Sequence, residues 1–122
     1  MTDLPKTDAG VFISGFSPWG TPDNIERIAP GIWLVETPSH GGYFVEPEQR
    51  KAIPQSWQRA SFTGQGAHGW YEEDCDWCMV ALAFPHLFSQ ANRDAAWRTF
   101  RNWLEPNGLT PHPVNDMGCV SA

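Results

Sequence analysis

Tyr71-Glu72-Glu73-Asp74-Cys75-Asp76-Trp77-Cys78-Met79-Val80-Ala81-Leu82-Ala83-Phe84 decides how the rest of the chain is read. Two apolar stripes run along it at helical spacing. Cys75, Cys78, Met79 and Leu82 fall on one side, and Trp77, Val80, Ala81 and Phe84 on the other. A helix that is apolar nearly all round is buried on every side, so the spacing predicts a central helix over 71–84. Its first turn holds Glu72, Glu73, Asp74 and Asp76, where carboxylates meet the positive end of the helix dipole. Pro85 stops it.

Working outward, Ser89 is a good N-cap for a second helix over 90–104. Trp97, Phe100 and Leu104 form its apolar stripe, with Arg93, Arg98 and Arg101 mostly off it. Asp94 and Arg98 stand at i, i+4, and Pro106-Asn107-Gly108 closes the helix. Upstream, Gly31-Ile32-Trp33-Leu34-Val35-Glu36-Thr37 reads as a strand, β-branched, aromatic and bounded by breakers. Tyr43-Phe44-Val45 resumes the extended pattern, so the two form a hairpin. Its turn is expected at Pro38-Ser39-His40-Gly41-Gly42, because glycine tolerates positive φ. Residues 24–29 suit a strand or a helical turn, and 11–13 a short strand. Residues 46–53 suit a short helix with Pro47 in its first turn, and 60–69, with three glycines, a loop. The expected fold class is α+β: a small antiparallel sheet covered by a buried central helix and a C-terminal amphipathic helix.

The bulk properties agree with one domain over residues 1–122, with 1–10 and 110–122 peripheral. The chain has 122 residues, 41% hydrophobic and 18% charged, which is a globular and not a disordered composition. Fourteen acids against eight bases leave a formal charge of −6. That argues against a sequence-independent grip on nucleic-acid phosphates, which needs clustered Lys and Arg. No apolar run approaches the roughly 20 residues that span a bilayer. Met1-Thr2-Asp3-Leu4-Pro5-Lys6 lacks the basic start and apolar stretch of a signal peptide. Three cysteines, an odd number, disfavour a disulfide framework. The expectation is a cytoplasmic protein with no membrane contact.

Chemistry has three candidate places. The first is the acidic helix start, Glu72, Glu73, Asp74 and Asp76, in a stretch with no Lys or Arg between Arg59 and Arg93. Such a group can hold a cation, raise one carboxyl for acid–base work or face a basic partner. It can also do no more than cap a helix. The second is Thr37-Pro38-Ser39-His40-Gly41-Gly42, where an imidazole in a glycine-rich turn is an accessible proton acceptor. Here the plainer reading is a turn whose Ser39 or His40 bonds the backbone. This pattern is neither a phosphate loop nor a nucleophile elbow. The third is Cys75-Asp76-Trp77-Cys78, spaced like a redox pair or half a zinc site. The second half of such a site is missing, and both thiols lie on the buried stripe, where cysteine packs as a small hydrophobe. Trp33, Trp77 and Trp97 take core-like positions, Trp103 the helix edge, and Trp19, Trp57 and Trp70 loops where a ring can reach the surface.

These motifs also carry a resemblance. The Ser-Pro-Trp-Gly segment at 17–20, the Gly31 to Gly42 hairpin, the Trp-Tyr-Glu-Glu-Asp-Cys-Asp-Trp run at 70–77 and the apolar helix ending in Phe84-Pro85 are similar to an uncharacterised small domain family. That family occurs on proteobacterial plasmids, phages and integrated elements. The match runs in order over about residues 17–104 and departs at Cys78, where the family pattern has a small apolar residue. The resemblance implies that His40 and the acids of 72–76 belong to one shared feature, and it assigns no activity. The mobile-element setting implies interference with host defence.

The expected function is therefore a small acidic protein-binding module. It would occupy a basic surface of a host defence or nucleic-acid-handling complex, in the manner of an anti-CRISPR or anti-restriction inhibitor. It would use Ser39, His40, Trp70, Glu72, Glu73, Asp74 and Asp76, with no cofactor, no metal and no direct nucleic-acid contact. The alternative is a small hydrolase-type or metal-dependent enzyme with His40, Glu72 and Glu73 as its catalytic groups.

Overall fold

The computed structural model describes residues 17–111, without the side chain of Thr63. The readings of 1–10, 11–13 and 112–122, including Cys119, lie outside the described residues. Four strands form one antiparallel sheet in sequential order: β1 Asn24–Ala29, β2 Ile32–Glu36, β3 Gly41–Val45 and β4 Trp70–Glu72. Between β3 and β4 come the short helices α1 Pro47–Arg50 and α2 Gln55–Ala60 and a 3-10 segment, Phe62–His68. After β4 follow α3 Trp77–Ala83 and α4 Gln90–Thr99. The latter runs on through a wider π-type turn, Phe100–Leu104, and a 3-10 turn, Glu105–Asn107. This is the small α+β fold that the sequence pattern predicts.

Both faces of the sheet are covered, by different means. On one face Ile32, Val45 and Tyr71 pack with Ile53 and Trp57 and with Cys78, Met79, Val80 and Ala81 of α3; Ala96, Phe100 and Leu104 of the last helix close the layer. Each large apolar side chain buried this way contributes about 1.5–3 kcal/mol. On the other face Trp33, Val35 and Trp70 pack with Ile25, Phe44, Phe62 and Trp19. The Trp19 ring stands edge-on to Trp70 at 5.5 Å and lies along Phe62 at 6.0 Å. Period-two alternation sends Ile32 and Leu34 to the helix face and Trp33 and Val35 to the aromatic face.

Several local expectations change. The predicted helix over 71–84 begins only at Trp77. Tyr71 and Glu72 are pulled into β4, where Tyr71 pairs with Tyr43 and Glu72 with Gly42. The ladder hydrogen bonds to β3 and the fully buried Tyr71 ring outweigh the helical periodicity. The hairpin turn is residues 37–40, and Gly41 and Gly42 are the first residues of β3. Thr37 N–H donates to the His40 carbonyl at 2.8 Å and the Thr37 hydroxyl donates to the same oxygen. Glycine is needed at 42 for room, not for φ. A Cβ there would sit 2.2 Å from the Tyr71 carbonyl oxygen and 2.7 Å from the Trp19 ring. Positive φ belongs instead to Gly31, at +76°, in the Pro30-Gly31 turn between β1 and β2. The loop expected at 60–69 holds the 3-10 segment.

The tryptophans also sort differently. Trp57 and Trp70, read as surface rings, are 3% and 7% exposed. Trp57 packs on Phe100 at 5.1 Å, and its indole N–H donates to the Thr110 carbonyl at 3.0 Å. The chain at 110 is thereby bonded to α2. Trp103 is 63% exposed. Ser89 caps α4 as expected, its hydroxyl accepting from Asn92 N–H. Asp94 accepts from the Gln90 amide one turn back.

Candidate functional site

The two polar motifs meet at one end of the β3–β4 pair. Glu73 N–H donates to the Gly41 carbonyl at 2.9 Å, which joins the acidic turn to the residue after His40. Ser39 and His40 are exposed at the tip of the 37–40 turn. Thr37 fixes this tip, its hydroxyl also accepting from His40 N–H at 3.1 Å. Among the described residues the His40 ring makes no hydrogen bond or ion pair.

The four acids divide by task. The Glu72 carboxylate accepts from the backbone N–H groups of Asp74, Cys75 and Asp76, at 3.0, 2.6 and 3.3 Å. It caps the turn that leads into α3, a side-chain solution to unpaired N–H groups. Asp76 is 3% exposed and accepts from Phe62 N–H at 2.8 Å. Burial pushes its carboxyl up to about 6, aided by the Glu72 charge and opposed by the Phe62 hydrogen bond. Only Glu73 and Asp74 face solvent, and among the described residues neither is paired with a base. The expectation that all four form one binding surface is thus corrected: two acids build the turn and two are displayed. Trp70 is likewise sealed beneath Trp19 and against Phe44, whose ring is 4.7 Å away.

The thiols are structural. Burial first, then the charges of Asp76, Glu72 and Asp74, pushes half-buried Cys75 up to about 11. Burial also raises Cys78 well above the thiol range. An activated nucleophile requires the opposite shift. Among the described residues no group of three or more His, Cys, Asp or Glu converges as a metal site would require. Nor is any helix there long and apolar enough to cross a membrane.

Beside the acidic end a cleft of about 270 Å³ opens on the helix face of the sheet. Leu34, Tyr43, Trp77 and Phe88 give it an apolar lining; Glu36, Glu73 and Asn92 add polar groups. Tyr43 lies opposite Leu34 across the β2–β3 ladder, and its ring meets Phe88 at 5.6 Å with planes 75° apart. Partial burial raises the Tyr43 hydroxyl above its ordinary value, and the charges of Glu26 and Glu36 raise it further. Exposed Glu36 accepts from the Asn24 amide at 2.7 Å and, among the described residues, is bonded to no Lys or Arg.

Sequence reasoning missed Glu36, Tyr43, Phe88 and Asn92 and assigned Trp77 to the core alone. Strand alternation puts Leu34 and Glu36 on one face, a signal that was present. Placing Tyr43 beside them needs the hairpin register, which follows from a turn at 37–40 and is lost if Gly41 and Gly42 are put in the turn.

Residues 14–108 match the model of a family described as a domain of unknown function, DUF7007. No curated protein and no solved structure matches the chain.

Proposed function

We propose that this chain, which belongs to the DUF7007 family, is a protein-binding module that docks its acidic sheet end on a basic surface of its partner. One observation carries the reading. Glu36, Glu73 and Asp74 are exposed around the end of the β2–β3–β4 ladder, in a chain of net charge −6, and the cleft with its rings opens beside them. Charge of one sign around an apolar depression steers a complementary partner and gives it something to bury. Ser39 and His40, exposed on the neighbouring turn, form the rim.

The finer reading is an inhibitor carried by plasmids, phages or integrated elements of proteobacteria. It acts in the cytoplasm by covering the basic surface of a CRISPR, restriction or other nucleic-acid-handling complex, without touching nucleic acid itself. The enzyme alternative draws less support, because the Glu72 carboxylate is held by three backbone N–H groups and a proton-transfer pair needs hydrogen-bond reach.

The test expresses the chain in cells carrying an active CRISPR or restriction system and scores survival of a targeted phage or plasmid. Protection that disappears in the Glu36→Lys, Glu73→Lys, Asp74→Lys triple variant, with its thermal unfolding unchanged, is the expected outcome. Protection unaffected by charge reversal overturns the acidic-surface reading. Absence of protection in every system tried overturns the inhibitor reading.

A further inference from the structure

The shape of the cleft is more specific than its charge. Two ring planes, Tyr43 and Phe88, stand nearly at right angles and form a corner; Trp77 adds a third ring to the lining. At the acidic end Gly42 belongs to the lining, and Gly41 precedes it beside Glu73. A Cβ on Gly41 would lie 3.2 Å from the Val35 carbonyl oxygen and 3.3 Å from Glu73 Oε2, so a side chain there would crowd the Glu73 carboxylate. Arg93, the residue after Asn92, does not neutralise Glu36 and Glu73. Its guanidinium is held by the Pro85 and Phe88 carbonyls and by the Gln90 side chain.

We infer that the cleft receives a single arginine side chain of the basic partner. This rests on the binding-module reading and says which group of the partner is anchored. A volume of about 270 Å³ lies near the lower end of the roughly 300–1,000 Å³ typical of small-molecule pockets, a size that suits one long side chain. Aromatic faces attract a cation, and Leu34 gives an alkyl stem apolar surface to lie on. The exposed carboxylates of Glu36 and Glu73 reject anions. Guanidinium fits better than ammonium: it is planar, stacks on rings, forks onto carboxylates and gives up less hydration on entry.

The experiment titrates isotope-labelled intact protein with N-acetyl-arginine-N′-methylamide and with its lysine and citrulline counterparts, following the Trp77 indole and Tyr43 ring resonances. Citrulline keeps the planar shape but lacks the charge and puts a carbonyl acceptor where arginine has an NH2 donor. Expected are saturable shifts at both rings with an arginine Kd of roughly millimolar strength, weaker binding of lysine and no saturation with citrulline. Affinity should fall by about tenfold in the Glu36→Gln, Glu73→Gln double variant, whose changes are at exposed positions, and fall also in Phe88→Leu. Shifts that fail to saturate at Trp77, equal binding of citrulline, or arginine shifts clustered away from the cleft would each overturn the inference. The two proposals fail separately. Cleft binding of arginine with protection indifferent to charge reversal leaves the cleft and removes the module; charge-sensitive protection without cleft binding does the reverse.

Discussion

Asp76→Asn is expected to stabilise the protein at neutral pH, although it removes a charged hydrogen-bond acceptor. Asp76 is 3% exposed, and its carboxyl is raised from 3.8 to about 6, chiefly by burial. Between about pH 4 and pH 6 the folded chain keeps a proton that the unfolded chain has released. Stability therefore falls as pH rises through this window, by up to about 1.4 kcal/mol per pH unit. A shift of roughly two units amounts to about 3 kcal/mol, fully present below pH 4 and lost above pH 6 to 7. Asparagine stays neutral and can still accept from Phe62 N–H. Its stability should match the wild type near pH 4 and exceed it by about 3 kcal/mol at pH 7. With a urea m-value of about 2 kcal/mol/M that difference is about 1.5 M in midpoint. Tryptophan fluorescence in urea at steps from pH 4 to pH 8 measures it, and the difference between the two proteins cancels the other carboxyls. A difference that is flat with pH, or a wild type that gains on the variant as pH rises, would refute the reasoning.

Other outcomes follow from the same geometry. Gly42→Ala should cost about 3 kcal/mol or more, since the new methyl meets backbone and the Trp19 ring. Gly41→Ala should cost less, about 1 kcal/mol, since its methyl meets the Val35 carbonyl oxygen at 3.2 Å and the Glu73 carboxylate at 3.3 Å without the severe overlap found at Gly42; chemical denaturation compares the two. Glu72→Ala should lose about 1–2 kcal/mol with its three capped N–H groups, whereas Asp74→Ala stays within about 0.5 kcal/mol, as thermal melts would show. Cys75 and Cys78 should react with iodoacetamide at pH 7.5 far more slowly in the native protein than in urea, because both are buried or half-buried neutral thiols; mass spectrometry reads the alkylation.

The sheet-plus-helices layout was legible because breakers and periodicity agreed: Pro30-Gly31, Pro85 and Ser89 mark real boundaries, and α4 is capped where expected. What stayed hidden depends on pairing between distant segments. β4 is three residues long and carries no strand pattern of its own; it exists because Tyr43 and Phe44 offer partners. Helix α2 has too few residues for a periodic signal, and Trp57 is buried only once Phe100 arrives from the far end of the chain. At the site, the sequence brought His40 and the acidic run to notice, and backbone pairing brings them together. It could not tell an acid that caps its own turn from one that faces solvent, since both types share one run of five residues. The cleft was invisible for a related reason: its lining comes from β2, β3, the turn before α3, the first residue of α3, the segment before α4 and the first turn of α4.

The bond from the Trp57 indole to the Thr110 carbonyl spans 53 residues, and it bears on the order of synthesis. The four strands pair in the order in which they leave the ribosome, so the meander can assemble early from local contacts. Its helix face is covered only in part, by Ile53 and Trp57, until α3 and α4 have been made, and Trp57 keeps an open indole until residue 110 emerges. A nascent chain halted before that point presents Ile32, Val45, Ile53 and Tyr71 to whatever is nearby, a hazard typical of part-made domains.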